Sequence, residues 1–168
     1  MLPAQYRRRA LPAGRALSAM PASNPDDAEI AALLRRRPRV ALVGASDKPS
    51  RPSFEVMGFL LEHGFAVVPV NPGLAGGQIH GQTIVASLAE AGPLDMVDVF
   101  RRSEEAGAVV AEATRLGARA VWLQLGVMDE EAAAAARAQG VLVVQDRCPA
   151  IEWPRLGIGP ARPGAGPQ

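Results

Sequence analysis

The sequence predicts an α/β fold, a three-layer, doubly wound parallel sheet, and three observations predict it. Five short apolar runs recur along the chain, each continuous rather than alternating with polar residues, the pattern of strands covered on both faces. Segments with helical spacing and helix-end signals lie between them. The chain has 168 residues, room for one ordinary domain, and strand–helix alternation within one domain builds a parallel sheet with helices on both sides.

The first helix is expected to start near Asp26. Asp26, Asp27 and Glu29 stand where helix N-terminal acids belong, Arg35, Arg36 and Arg37 where C-terminal bases belong, and Pro38 stops it. Val40-Ala41-Leu42-Val43 is the first strand. Phe54, Met57, Leu60 and Leu61 then form an apolar helical face between Ser53 and Gly64. The second strand is Ala66-Val67-Val68-Pro69-Val70. Its proline lacks a donor, which suits an outer strand or a strand end. Asn71-Pro72-Gly73 reads as a turn and Thr83-Ile84-Val85 as a minor edge strand. Met96–Phe100 is the next clear strand. Ser103 is expected to cap the helix that follows, with Glu104 and Glu105 in its first turn, Ala106, Val109, Val110, Ala113 and Leu116 on its buried face, and Gly117 at its end. Ala120–Gln124 is a strand, Asp129 caps an alanine-rich helix ending near Gly140, and Val141–Val144 completes the sheet. Right-handed crossovers then give a Rossmann-like order, 3-2-1-4-5-6.

The predicted domain spans 26–156. Residues 1–25 hold Arg7, Arg8, Arg9 and Arg15 with no acid and no apolar stretch of signal-peptide length. They are read as a disordered extension, although an Arg-rich, acid-free segment also describes a transit peptide. Met20 offers a second candidate start. Residues 157–168, rich in Gly and Pro, are read as a flexible tail.

Composition narrows function. At 48% hydrophobic and 21% charged the chain is globular rather than disordered, and no apolar stretch approaches the roughly 20 residues of a spanning helix. The whole chain carries a net charge of +1. Setting aside the four N-terminal arginines leaves 14 bases against 17 acids, so the body is about −3. That argues against nucleic-acid binding, which needs a basic face on the domain itself. All but one of the bases are Arg, which we read as coding bias. One cysteine, Cys148, excludes an internal disulfide, and a reducing cytosol is the expected compartment.

In an open parallel sheet, ligands bind beyond the carboxyl ends of the strands, where the strand order reverses. The segment after the first strand reads Gly44-Ala45-Ser46-Asp47-Lys48-Pro49-Ser50-Arg51-Pro52-Ser53. Gly44 lets a backbone approach a phosphate, the two prolines stiffen the loop, and Lys48 and Arg51 supply charge. With Arg101 and Arg102 after the fourth strand, these cations flank the reversal. The alternative for each is a solvated surface charge.

Several activities are excluded. The loop lacks the second and third glycines of G-x-G-x-x-G, and the end of the second strand offers Asn71 where a dinucleotide fold places an acid, so NAD-dependent dehydrogenation does not fit. There is no P-loop, no GxSxG elbow and no H-x-x-x-H pair. His63 and His80, with one Cys, make no zinc set. Trp122 reads as core. Cys148 reads as a small buried residue at a turn, the alternative being a mixed disulfide with a thiol ligand. Asp98, inside an apolar run, must find a partner if buried.

Five segments in register resemble the small stand-alone bacterial CoA-binding domain proteins, related to the CoA-binding domain of succinyl-CoA synthetase alpha subunits. They are Val-Gly-Ala-Ser-Asp-Lys-Pro-Ser-Arg-Pro-Ser (43–53), Val-Pro-Val-Asn-Pro (68–72), Val-Asp-Val-Phe-Arg-Arg-Ser-Glu (97–104), Val-Trp-Leu-Gln-Leu-Gly (121–126) and Asp-Arg-Cys-Pro-Ala-Ile-Glu (146–152). The resemblance covers roughly Arg39 to Leu156. It implies a nucleotide-binding domain for coenzyme A or an acyl-CoA. Gly44, Ala45 and Ser46 would form the turn under the phosphates, and Lys48, Arg51 and Ser53 would continue the contact. Asn71 and Pro72 would border the pocket, Phe100 and Arg101 would sit against the nucleotide end, and Gln124 and Gly126 would close the far wall. The chain has no room for a nucleotide-grasp domain and no recognisable phosphohistidine loop, so the expectation is a binding module without catalytic or metal-ligating residues. Two other readings stay open: a CoA-site subunit of a separately encoded acyl-CoA synthetase-like enzyme, and a nucleotide-sensing repressor, against which the absence of a helix-turn-helix speaks. A protein partner is open. Neither a nucleic acid nor a membrane is expected.

Overall fold

A computed structural model describes residues 24–159. In chain order the elements are α1 (Asp27–Arg35), β1 (Val40–Val43), α2 (Pro52–Glu62), β2 (Val67–Val70), β3 (Gln78–Ile79), β4 (Gln82–Thr83), β5 (Met96–Val99), α3 (Ser103–Arg115), β6 (Ala120–Leu123), α4 (Glu130–Ala138), β7 (Leu142–Val144) and α5 (Pro149–Arg155). The expected N-terminal extension and the candidate start at Met20 fall outside the described residues, apart from Asn24 and Pro25, and so does the expected tail beyond Gly159. Asn24 is tied down: its side chain exchanges two hydrogen bonds with the Gln145 backbone, at 2.7 and 2.8 Å. Ile158, two residues into the expected tail, is buried in the core.

One parallel sheet runs β2-β1-β5-β6-β7. Outside β2, Val85 forms a single parallel bridge to Val70. Counted as the third strand, that bridge makes the order the expected 3-2-1-4-5-6, with its outermost member reduced to one residue pair. The expected edge strand at Thr83-Ile84-Val85 is thus divided. Thr83 belongs to the β3–β4 hairpin, whose turn residues His80 and Gly81 both have positive φ, 47° and 76°, as a two-residue hairpin turn requires. Pro69 lies in β2, on the edge, with its carbonyl accepting from the Val85 N–H at 3.0 Å. Its missing donor faces outward, where no central ladder is broken.

Side chains alternate across the sheet into two cores. Val40, Leu42, Val67, Met96, Ala120, Trp122 and Val144 pack with α1, α2 and α5. Ala41, Val43, Val97, Val99, Val121, Leu123 and Val143 pack with α3 and α4. Parity therefore places Asp98, between Val97 and Val99, in the α1/α2/α5 layer.

Helix starts follow the sequence in two of three cases. Asp26 and Glu29 form a reciprocal capping box on α1, at 2.9 and 3.0 Å. Asp129 caps α4 through the Ala132 N–H at 2.9 Å. Ser103 does not cap α3. It is the first helical residue, and Arg102 precedes it with no side-chain cap. Its hydroxyl turns to the loop after β6, donating to the Gly126 carbonyl and accepting from the Met128 N–H, both at 3.2 Å. Tertiary contact outbids the local cap here. Among the described residues no helix is long and apolar enough to cross a membrane.

Candidate functional site

A cleft of about 680 Å³ opens at the carboxyl ends of β1, β2, β5 and β6, the volume of a small-molecule site. Its floor begins at Gly44, which has φ +82°. A Cβ there would stand 2.1 Å from the Phe100 carbonyl oxygen, so only glycine lets β1 leave the sheet past β5, with or without a ligand. Gly44 and Ala45 both donate to the Val70 carbonyl, at 3.1 and 3.3 Å, which carries the loop over β2.

Asn71 fixes that loop. Its Nδ2 donates to the Ala45 carbonyl and its Oδ1 accepts from the Gly73 N–H, both at 2.8 Å. One side chain thus joins the β1 loop to the turn after β2. Farther on, the Ser46 hydroxyl accepts from the Lys48 N–H at 3.2 Å, and the Arg51 N–H donates to the Lys48 carbonyl at 2.9 Å. Arg51 is the N-cap residue of α2 and Pro52 its first helical residue, and no side chain caps this helix. Pro52 has no N–H and the Phe54 N–H donates to the Arg51 carbonyl at 3.1 Å, so the first turn keeps one free donor, the Ser53 N–H, beside the positive end of the helix.

Lys48, Arg51 and Arg101 line the cleft against a single lining carboxylate on its surface, Asp47. Among the described residues none of the three cations has an ion-pair partner. Arg102, the other cation expected to flank the reversal, is exposed and lies outside the cleft lining.

The β6 side is braced as well. The Gly126 N–H donates to Asp146 Oδ1 at 2.7 Å, and Ser103 holds the same loop from α3. Gln124 lines the cleft and is 3% exposed. Its Nε2 donates to Oδ1 of the fully buried Asp98 at 2.6 Å. This is the partner that Asp98 required. Burial pushes the Asp98 carboxyl up to about 7, against the opposing pull of the Gln124 amide and the Val99 N–H.

Of the residues expected at the site, Gly44, Ala45, Ser46, Lys48, Arg51, Ser53, Asn71, Phe100, Arg101 and Gln124 line this cleft. Pro72 and Gly126 do not. Their neighbours Gly73 and Leu74, and Leu125 and Val127, take those places. Such apolar lining residues carry no signal that separates them from core in a single sequence. Cys148 is away from the lining, fully buried among core residues. Burial first, then the Asp98 charge, pushes its thiol up to about 12, so the reading as a buried turn residue describes it. Among the described residues no cluster of three His, Cys, Asp or Glu could hold a metal.

Relatives share this architecture. The uncharacterized protein YneT of Bacillus subtilis (strain 168) is 40% identical over 126 residues, covering 74% of this chain and 92% of that one. A solved structure from Thermus thermophilus, cell-free ID.343, superposes with a TM-score of 0.74 at 38% identity, over 79% of this chain and 99% of that one. A hypothetical protein from Pyrococcus horikoshii OT3 gives a TM-score of 0.73 at 35% identity, over 79% and 92%. The model of the CoA binding domain family matches residues 38–154, the stretch that holds the whole sheet and every residue of the cleft, and on that match the chain belongs to the family of CoA-binding domains.

Proposed function

We propose that this protein binds coenzyme A or an acyl-CoA in the cleft, through the loop after β1, and performs no reaction on it. One observation carries the reading. Lys48, Arg51 and Arg101, without ion partners among the described residues, line a cleft into which α2 opens uncapped. Cations and the positive end of a helix at one point make an anion site. Coenzyme A carries a pyrophosphate and a 3′-phosphate, so its charge matches the donor set.

The residue roles are those the family resemblance implies. The Gly44–Ser46 turn lies under the phosphates, and Lys48, Arg51 and Ser53 continue the contact. Asn71 acts by holding the turn in place, since both ends of its amide are engaged within the protein. Phe100 and Arg101 sit against the nucleotide end and Gln124 closes the far wall. The proposed compartment is the cytosol, where a lone thiol such as Cys148 stays reduced.

Isothermal titration against coenzyme A, dephospho-CoA, NAD and ATP tests the proposal. The expected result is tightest binding of coenzyme A. Equal affinity for all four, or none for any, overturns it. Arg51→Ala is expected to weaken coenzyme A more than adenosine, because phosphate attraction is what it removes. An unchanged ratio of the two affinities removes Arg51 from the contact.

A further inference from the structure

Leu125 and Met128 are the exposed large hydrophobic residues among those described, 38% and 42% exposed. Both belong to the short loop between β6 and α4, and Leu125 lines the cleft together with Val127. A single exposed leucine needs no explanation. Two large apolar side chains in one loop beside a binding cleft do, because the backbone holds that loop where it is.

The Val127 N–H closes a turn on the Gln124 carbonyl at 2.9 Å. Gly126 is fixed twice, its N–H on Asp146 and its carbonyl by the Ser103 hydroxyl. The Met128 N–H donates to Ser103, and the Asp129 N–H donates to Oε1 of the buried Gln145 at 2.8 Å. Every backbone donor from Gly126 to Asp129 is therefore engaged. The loop cannot fold Leu125 inward without breaking several of these bonds.

The chemistry of the cleft changes from one end to the other. Its charged lining residues, Asp47, Lys48, Arg51 and Arg101, come from the segments after β1 and β5. The end of β6 supplies Gln124, Leu125 and Val127, none of them charged. Since β5 lies between β1 and β6, the ends of those two strands are about 10 Å apart. A ligand that fills both ends has an anionic head, a connecting arm and an apolar terminus. Free coenzyme A ends in a small thiol, which leaves Leu125 in water. An acyl thioester supplies the missing apolar group.

We propose that the β6 lip, built on Leu125 and Val127, is an acyl-chain subsite, and that the ligand of the cleft is an acyl-CoA with an unbranched aliphatic chain rather than free coenzyme A. The inference rests on the coenzyme A reading and deepens it. The cations hold the phosphates, the pantetheine arm crosses the cleft, and the chain covers the side chain that the braced loop holds in water.

Calorimetric titration of the intact protein with coenzyme A, acetyl-CoA and hexanoyl-CoA tests it. Each methylene fully removed from water tightens binding about fourfold, and an open lip that covers half of the chain gives roughly twofold. Hexanoyl-CoA is therefore expected to bind about tenfold more tightly than acetyl-CoA, with a more negative heat-capacity change. The ratio of the two affinities is expected to be the same at low and high salt, because the two ligands carry the same charge. Leu125→Ser, at an exposed position, is expected to collapse that ratio toward one. Equal affinity for acetyl-CoA and hexanoyl-CoA, or a preference that Leu125→Ser leaves intact, overturns the subsite while coenzyme A binding stands; the lip then belongs to another occupant, such as a protein surface. A protein that binds none of the three overturns the coenzyme A reading, and the subsite falls with it.

Discussion

Gly44→Ala probes the join between fold and site. Alanine at φ +82° enters the left-handed region at a cost of about 1 kcal/mol. The added Cβ then meets the Phe100 carbonyl oxygen at 2.1 Å and its carbon at 3.0 Å. A Cβ atom essentially never stands within 3.0 Å of such a neighbour, so roughly 1 Å of relief must be found. The obstacle is backbone, and no rotamer change relieves it. Phe100 is itself held by its N–H on the Val43 carbonyl at 2.9 Å, so relief shifts β5 against β1. Overpacking of this kind costs about 1–3 kcal/mol, for a total of about 2–4 kcal/mol. A domain with a stability of about 5–15 kcal/mol still folds. Guanidinium unfolding monitored by Trp fluorescence measures the loss, and coenzyme A titration of the folded variant should show at least tenfold weaker binding, since both displaced segments line the cleft. Gly126→Ala is the control: φ there is +77° and a Cβ meets nothing within 4 Å, so only the strain of about 1 kcal/mol remains. A Gly44→Ala protein within 0.5 kcal/mol of wild type, or no worse than Gly126→Ala, would refute the reasoning.

Two further outcomes follow from burial. Cys148, fully buried with its thiol pushed up to about 12, should resist an aromatic disulfide reagent at pH 8 in the native protein and react at once in denaturant; prompt native reaction would contradict this. Asp98 makes stability pH-dependent. Its folded value, about 7, lies above the unfolded value of about 3.9, so between them the native state binds more protons. Stability therefore falls as pH rises from about 4 to about 7 and is level in this respect above it, by an amount on the order of 2–4 kcal/mol. Asp98→Asn removes that slope, and unfolding curves at pH 5 and pH 8 that stay parallel to wild type would exclude it.

Much of the fold is legible in one dimension because its determinants are local. Continuous apolar runs mark strands covered on both faces whatever their neighbours are, and Asp26 and Asp129 cap because a carboxylate reaches N–H groups three residues on. The loop after β1 could be placed at the site because the carboxyl ends of parallel strands share one edge. Ser103 shows where local rules stop, since its hydroxyl serves Gly126 and Met128, more than twenty residues away. The β3–β4 hairpin carries no clear signal in the sequence because His80-Gly81 is not the usual turn pair.

By itself the sequence determined the five strands of the main sheet, helices α1 to α4, the Rossmann-like order and the cation-bearing loop, which follow from periodicity, chain handedness and charge. Only the tertiary structure decided which residues meet. It set Gly44 against the Phe100 carbonyl, engaged both ends of the Asn71 amide, brought Leu125 and Val127 to the cleft and joined Asp98 to Gln124 across 26 residues. Each of these depends on the register between separate strands, and register is a property of the packed sheet rather than of any single segment.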